Sequence, residues 1–146
     1  MRATFRWLAN VLFVAVVIQV GLAAYGAFSA IHKAEHVRIT KKTIENGFDP
    51  HGIVGTLILV VMLALLIVAL AGRLGPFSVR LAGIAFGLGI LQLILGIVST
   101  SAPAVGFLHG LNALAIFAVT GLLAHRTSAA ERAASPAPVA PAPSSP

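Results

Sequence analysis

The sequence predicts an all-α polytopic membrane protein folded as a four-transmembrane-helix bundle. Of its 146 residues, 58% are hydrophobic and only 10% are charged, and the mean hydropathy of +0.98 lies well outside the range of soluble domains. Four apolar runs each have the roughly 20 residues that a helix needs to cross a bilayer. Because four such spans use most of the chain, we expect one compact bundle over residues 1–126 and no separate soluble domain.

Composition excludes several classes of cofactor and partner. The chain has no cysteine, which excludes disulfides, thiolate-bound zinc, iron–sulfur clusters and covalent c-type haem attachment. The net charge of +6 comes from ten lysines and arginines, which fall in connections and ends, where they set topology in membrane proteins. We therefore expect the lipid bilayer as the main partner and no binding to nucleic acid.

The first predicted span, residues 7–30, follows Arg2 and Arg6. A basic start before an apolar run is also typical of a signal peptide, but this run is longer than a usual signal core and has no clear small-x-small cleavage site before Ile31. We therefore predict a retained transmembrane helix. The polar connection at residues 31–49 is expected to be an outer loop with room for one short interfacial helix.

The second predicted span, residues 50–72, opens with Asp49-Pro50-His51-Gly52. Aspartate is a good N-cap and proline suits the first helical turn, so this cluster predicts a helix N-terminus with His51 just inside it. Residues 53–71 carry no charge, so a transmembrane helix follows from length alone.

The third and fourth spans, residues 78–99 and 103–124, are bounded by turn signals at Gly75-Pro76 and Ser101-Ala102-Pro103. Residues 127–146 are rich in alanine and proline, which predicts a disordered cytoplasmic tail that acts as a spacer.

The distribution of lysine and arginine predicts the orientation. The N-terminus, residues 73–80 and the segment after residue 125 all carry arginine, whereas residues 100–103 carry no charge. The positive-inside rule therefore predicts a multi-pass protein of the inner (cytoplasmic) membrane with both termini in the cytoplasm. The outer loop breaks this rule, because it carries Lys33, Arg38, Lys41 and Lys42.

Polar residues inside the spans gather at one depth. Each span has a stripe of small residues with one or two polar side chains at helical spacing, which predicts close packing of the four helices. Given the direction of each span, the polar members all fall in the outer half: Gln19, His51, Gln92, His109 and Asn112. Packing alone gives no reason for this asymmetry, so a site is predicted in the outer half.

His51 and His109 are the candidate axial ligands of a b-type haem. They lie on the second and fourth spans, which run in the same direction, and their depths differ by roughly 8 Å before tilt or offset. Imidazoles from two helices of a bundle can ligate a haem iron from both faces. Gly55 and Gly106 are expected to leave room for the macrocycle.

Three further residues are expected around this haem. Gln92 and Asn112 are candidates to orient the imidazole rings. Arg38, Lys41 or Lys42 is expected to meet the propionates, which would also explain the misplaced outer cations. No residue pattern predicts a catalytic site, so we expect no enzyme activity of the chain on its own.

Other interpretations of the same residues remain open. His51 also fits an interfacial residue near a helix cap, and His109 also fits a residue that locks the bundle through Gln92 or Asn112. His32 and His36 are spaced for a metal, but without a third ligand nearby we interpret them as solvated. The main alternative function is a structural or accessory subunit of a larger membrane complex, or a homo-oligomer, with no cofactor of its own.

Several segments resemble a family of small bacterial four-helix membrane proteins, a domain of unknown function. They are Phe48-Asp49-Pro50-His51, Leu91-Gln92 and Leu108-His109-Gly110-Leu111-Asn112-Ala113-Leu114. The resemblance covers roughly residues 7–126 and implies no activity.

More distantly, the chain looks like one four-helix half of haem A synthase. The features are the histidine at the head of the second span, Leu91-Gln92-Leu93-Ile94-Leu95-Gly96 in the third and the histidine in the fourth. In that family, histidines on helices two and four of each half ligate a b-type haem, so the resemblance implies this role for His51 and His109. The chain has one half instead of two and lacks an outer-loop cysteine pair, so haem A synthesis is not implied.

Overall fold

The computed structural model describes residues 1–134, and this part of the chain is helical apart from short connections. The helices are α1 (Arg2–Ala34), α2 (Lys41–Ala71), α3 (Pro76–Ser99) and α4 (Pro103–Ala134). All four are long and apolar enough to cross a membrane. The predicted all-α fold with four transmembrane helices is therefore confirmed.

The helices form a ring in which each contacts its two neighbours. α1 packs against α2 and α4, and α3 packs against α2 and α4. Short connections make consecutive helices antiparallel. As a result α2 and α4 run in the same direction and lie diagonally opposite each other across the bundle.

The hydrophobic core fills the half of the bundle that contains the N-terminus. It is built from the first half of α1, the second half of α2, the first half of α3 and the second half of α4, which antiparallel packing brings to the same end. Its fully buried large side chains are Leu12, Met62, Leu65 and Thr120. The hydroxyl of Thr120 donates to the carbonyl of Ile116 at 2.8 Å. Both residues lie in α4, so this hydrogen bond does not join two helices.

The outer surface of the bundle is strongly apolar. Phe28 and Phe107 are 70% and 69% exposed, and many other large aliphatic side chains also point outwards. In water such a surface promotes association, whereas in a bilayer it contacts acyl chains. The exposed surface thus agrees with the membrane assignment.

Helix α2 begins at Lys41, so the predicted helix N-terminus at Asp49 is wrong. Thr40 is the N-cap: its hydroxyl accepts the backbone N–H of Thr43 at 3.2 Å, and the Thr43 hydroxyl accepts the N–H of Thr40 at 3.4 Å. This reciprocal capping box satisfies two helix-end donors at once. Pro50 lies inside the helix, where it removes one backbone hydrogen-bond donor.

Close packing of α1 against α2 explains why both helices extend into the predicted outer loop. A Cβ atom on Gly47 would lie 3.2 Å from the backbone oxygen of Gly26, and a Cβ atom on Gly26 would lie 2.8 Å from the Phe48 ring. Because the two backbones approach this closely, the helical hairpin continues to a connection of residues 35–40. Residues 31–34 and 41–49 are therefore helical and not loop.

Helix α4 is also longer than predicted. Residues 127–134, assigned above to the disordered tail, belong to α4. The alanines at positions 129, 130, 133 and 134 are strong helix formers, and the first proline of the tail is Pro136. The rest of the predicted tail, residues 135–146, lies outside the described residues.

Candidate functional site

Gln19 on α1 and His51 on α2 form the first half of the site. The side-chain amide of Gln19 donates to the backbone oxygen of His51 at 2.7 Å, and Nδ1 of His51 lies 3.2 Å from the backbone oxygen of Gln19. A carbonyl oxygen can only accept, so Nδ1 carries the imidazole proton. The lone pair on Nε2 of His51 is therefore available to a ligand.

Gln92 on α3 and His109 on α4 form the second half. Nδ1 of His109 lies 3.2 Å from the backbone oxygen of Gln92, and Nε2 lies 3.1 Å from the Gln92 side-chain nitrogen. The same reasoning places the proton on Nδ1, so Nε2 accepts from the Gln92 amide. The Gln92 side-chain oxygen in turn accepts from Asn112 at 2.7 Å.

Asn112 completes this second half from a buried position. It is 8% exposed, and its amide also donates to the backbone oxygen of Leu88 at 2.9 Å. A continuous chain of hydrogen bonds thus runs from Asn112 through Gln92 to His109. The sequence assigned orienting roles to both Asn112 and Gln92. In the structure the His109 ring is held by the backbone oxygen of Gln92, and Asn112 bonds to the Gln92 side chain.

The two halves repeat one arrangement. In each hairpin a glutamine on the first helix presents its backbone carbonyl to Nδ1 of a histidine on the second helix. Each histidine is followed by a glycine, in His51-Gly52 and His109-Gly110. The hairpins α1–α2 and α3–α4 therefore place equivalent imidazoles on the two diagonal helices.

The imidazoles of His51 and His109 face each other across the bundle. Their ring centroids are 6.3 Å apart and their planes are inclined by 58°. The depth difference estimated from sequence therefore does not keep the rings apart. The Phe48 ring lies 6.3 Å from that of His51 and nearly perpendicular to it, at 89°, and so forms an apolar wall above the site.

The side-chain oxygen of Gln19 is buried and has no hydrogen-bond partner among the described residues. An unsatisfied amide oxygen away from water is costly, so it needs a donor from water or from a ligand. This orphan acceptor belongs to the same half of the site as the unbonded Nε2 of His51. The α1–α2 side therefore offers unused polar groups, whereas on the α3–α4 side Gln92 bonds to both His109 and Asn112.

The glycines of the site accommodate its side chains. A Cβ atom on Gly55 would lie 2.9 Å from the Gln19 side-chain nitrogen, so the space expected there for a macrocycle is filled by Gln19. A Cβ atom on Gly106 would lie 3.8 Å from Cβ of Ser99, which is ordinary contact between α3 and α4. Gly96, absent from the predicted site, makes room for the His109 ring, since its Cβ would lie 3.2 Å from Cε1.

The structure does not bring Arg38 to the histidines. Arg38 is exposed in the connection at residues 35–40, and His51 lies ten residues into α2, about 15 Å along the helix axis at 1.5 Å per residue. The expected contact between Arg38 and propionates depended on α2 beginning beside His51. The earlier start of α2 removes the basis for that expectation.

The sequence grouped Gln19 with the polar residues of the outer half but gave it no role at the predicted haem, whereas the structure joins it to His51 by two hydrogen bonds. The sequence does not show this pairing, because Gln19 and His51 are 32 residues apart whereas Gln92 and His109 are 17 residues apart. No family model matches the chain, and no curated protein or solved structure matches it either. The resemblances to the two families therefore stay predictions.

Proposed function

We propose that this protein binds one b-type haem between His51 and His109 and works as a small electron-transfer module of the membrane. The observation that carries the proposal is the separation of 6.3 Å between the two imidazole centroids across the bundle. Bonds of about 2 Å from a metal ion to two imidazole nitrogens on opposite sides put the ring centres roughly 6 Å apart. The observed separation fits bis-histidine ligation.

The protonation of the rings also supports the proposal. Imidazoles that ligate metals typically donate their other ring N–H to a carbonyl or carboxylate, which fixes the ring and raises its basicity. Both Nδ1 atoms have backbone carbonyl partners, from Gln19 and Gln92. Nε2 is therefore the ligating atom that we propose on each histidine.

Haem binding requires the side chains between the helices to move. Nε2 of His109 is bonded to the Gln92 amide, so Gln92 has to release it before the atom can ligate iron. The Gln19 amide fills the space beside Gly55 and has to withdraw for the macrocycle to enter. Both movements involve flexible glutamine side chains.

The site would lie in the outer half of the inner membrane, with both termini in the cytoplasm. Arg2, Arg6 and Arg126 line a cavity at the end of the bundle that contains the N-terminus, and the positive-inside rule assigns such an end to the cytoplasm. The histidines belong to the other half. A haem there would exchange electrons with partners at the outer face.

The alternative proposal is a structural or accessory subunit of a larger membrane complex. One observation favours it: the Gln19–His51 and Gln92–His109 bonds each close one hairpin without any cofactor. Polar contacts of this kind hold transmembrane helices together. In this case the exposed apolar faces would contact partner helices.

Haem content separates the two proposals. Protein expressed with added haem and purified without a histidine tag should contain about one haem per chain, measured as the pyridine haemochrome. Single His51→Ala and His109→Ala variants should each lose most of it, whereas His125→Ala, at an exposed position on α4, should keep it. Protein without haem that purifies with a stoichiometric partner would support the accessory-subunit proposal instead.

A further inference from the structure

Three side chains with metal-binding donors meet where α1 ends. His32, Glu35 and His36 each offer one ligand atom, and these atoms all lie within 4.8 Å of one another. The two imidazole centroids are 5.2 Å apart, with planes inclined by 72°. The sequence alone led us to treat His32 and His36 as solvated for want of a third ligand, and Glu35 supplies that ligand.

The local backbone explains the grouping. Helix α1 ends at Ala34, but the backbone N–H groups of Glu35 and His36 donate to the carbonyls of His32 and Lys33 at 3.3 and 3.1 Å. The helical turn therefore continues for one more step. Residues three and four positions apart lie on the same face of a turn, which brings all three side chains together.

We propose that His32, Glu35 and His36 bind a divalent zinc ion at the exposed tip of the α1–α2 hairpin. Two imidazoles and one carboxylate, with water in the fourth position, form an established zinc ligand set. Ligand bonds of about 2.0–2.1 Å place donors roughly 3.4 Å apart in a tetrahedral site. The three donors lie within 4.8 Å of one another, so they have to approach by up to roughly 1.4 Å to reach this spacing.

The charges around this turn include some that favour a bound cation and some that oppose it. The C-terminal end of α1 carries partial negative charge on its free carbonyls, which favours a cation. Lys33 and Arg38 lie in the same segment and oppose it, although water and salt screen exposed charges. Carboxylate ligation by Glu35 offsets part of this repulsion. The two imidazole nitrogens favour Zn²⁺ over larger cations that need many oxygen ligands.

Zinc at this position would join the end of α1 to the connection at residues 35–40. It would use none of the residues proposed for haem, so the two proposals are independent. The tip is exposed and lies at the end of the bundle opposite the hydrophobic core. The ion would therefore bind from the aqueous phase without entering the membrane.

The test is a zinc titration of the untagged protein in detergent against a chromophoric zinc indicator. We expect one equivalent to bind, and His32→Ala, His36→Ala and Glu35→Gln each to weaken binding by roughly tenfold or more. His125→Ala should bind like the parent protein. Because all three ligands are exposed, the variants should keep the helical circular dichroism of the parent.

Two outcomes would overturn the proposal. One is a titration in which the parent protein binds no more zinc than the His32→Ala/His36→Ala double variant. The other is a Glu35→Gln variant that binds as tightly as the parent, which would exclude the three-ligand site. Copper(II) serves as a second probe, since its electron paramagnetic resonance spectrum should show coupling to imidazole nitrogens that the double variant lacks.

Discussion

Gln19 and His51 are joined by two hydrogen bonds, one from the Gln19 amide to the His51 carbonyl at 2.7 Å and one from the His51 ring to the Gln19 carbonyl at 3.2 Å. The ring is thus oriented by backbone, and the glutamine side chain is free to move without releasing it. Gln92 and His109 share the bond from ring to backbone. Replacement of either glutamine side chain should therefore leave its imidazole in place.

Gln92→Leu should lower the stability of the bundle without weakening haem binding. The substitution removes the amide that occupies Nε2 of His109 and the oxygen that accepts from Asn112. We expect the free energy of unfolding to fall by about 1 kcal/mol, as for other hydrogen bonds between transmembrane helices. Haem binding should be kept or become tighter, because Nε2 no longer has to be released. A Gln92→Leu protein that loses haem would show that the Gln92 side chain takes part in binding.

Gly55→Ala should destabilise the bundle more than Gly52→Ala. A Cβ atom on Gly55 would lie 2.9 Å from the Gln19 amide, whereas on Gly52 it would meet nothing within 4 Å. Both changes gain helix propensity, so the difference between them isolates the contact with Gln19. We expect Gly55→Ala to be less stable by about 1 kcal/mol in thermal or denaturant unfolding in detergent. Equal stabilities would mean that Gln19 moves aside without cost.

Gly26→Ala should weaken the packing of α1 against α2. The added methyl group would lie 2.8 Å from the Phe48 ring, and Gly21, where a Cβ meets nothing within 4 Å, provides the matched control in the same helix. Overpacking of this kind typically costs about 1–3 kcal/mol. Unfolding of Gly26→Ala and Gly21→Ala under the same conditions measures the difference. A stability of Gly26→Ala at or above that of Gly21→Ala would contradict the close packing.

The four helices were predictable because apolar length alone specifies a transmembrane span, but the start of α2 was not. Thr40 and Asp49 are both good N-cap residues, and the local sequence favours Asp49 because Pro50 follows it. The choice of Thr40 depends on the approach of Gly47 and Phe48 to Gly26, which is a tertiary contact. The local sequence around Thr40 and Asp49 does not reveal that contact.

Part of the site was predictable from the sequence, and part depended on how the helices pack. Helical spacing placed His51, His109, Gln92 and Asn112 on inner faces, and all four are at least partly buried. The backbone carbonyl that each ring contacts depends on helix offset, which periodicity does not determine. Glu35 was missed for a simpler reason: its spacing of three from His32 becomes relevant only if α1 continues past Ala30.

Thr40→Ala should loosen the start of α2. It removes the hydroxyl that caps the N–H of Thr43, and loss of an N-cap costs about 1 kcal/mol. Because this helix end is exposed, we expect faster amide hydrogen exchange over residues 41–44 with little change in global unfolding. Thr40→Ser should retain slow exchange. Thr56→Ala, which removes a hydroxyl bonded only to the Gly52 carbonyl in the same helix, should leave residues 41–44 unchanged.

The spin state of bound ferric haem tests the proposed ligation most directly. If His51 and His109 both ligate iron, the protein should give the low-spin electron paramagnetic resonance and optical spectra of a six-coordinate bis-histidine haem. His51→Ala and His109→Ala, each supplied with haem, should give high-spin five-coordinate spectra or lose haem, while His32→Ala/His36→Ala remains low-spin. A low-spin spectrum that survives either single substitution, or the absence of bound haem in the parent protein, would contradict the proposal.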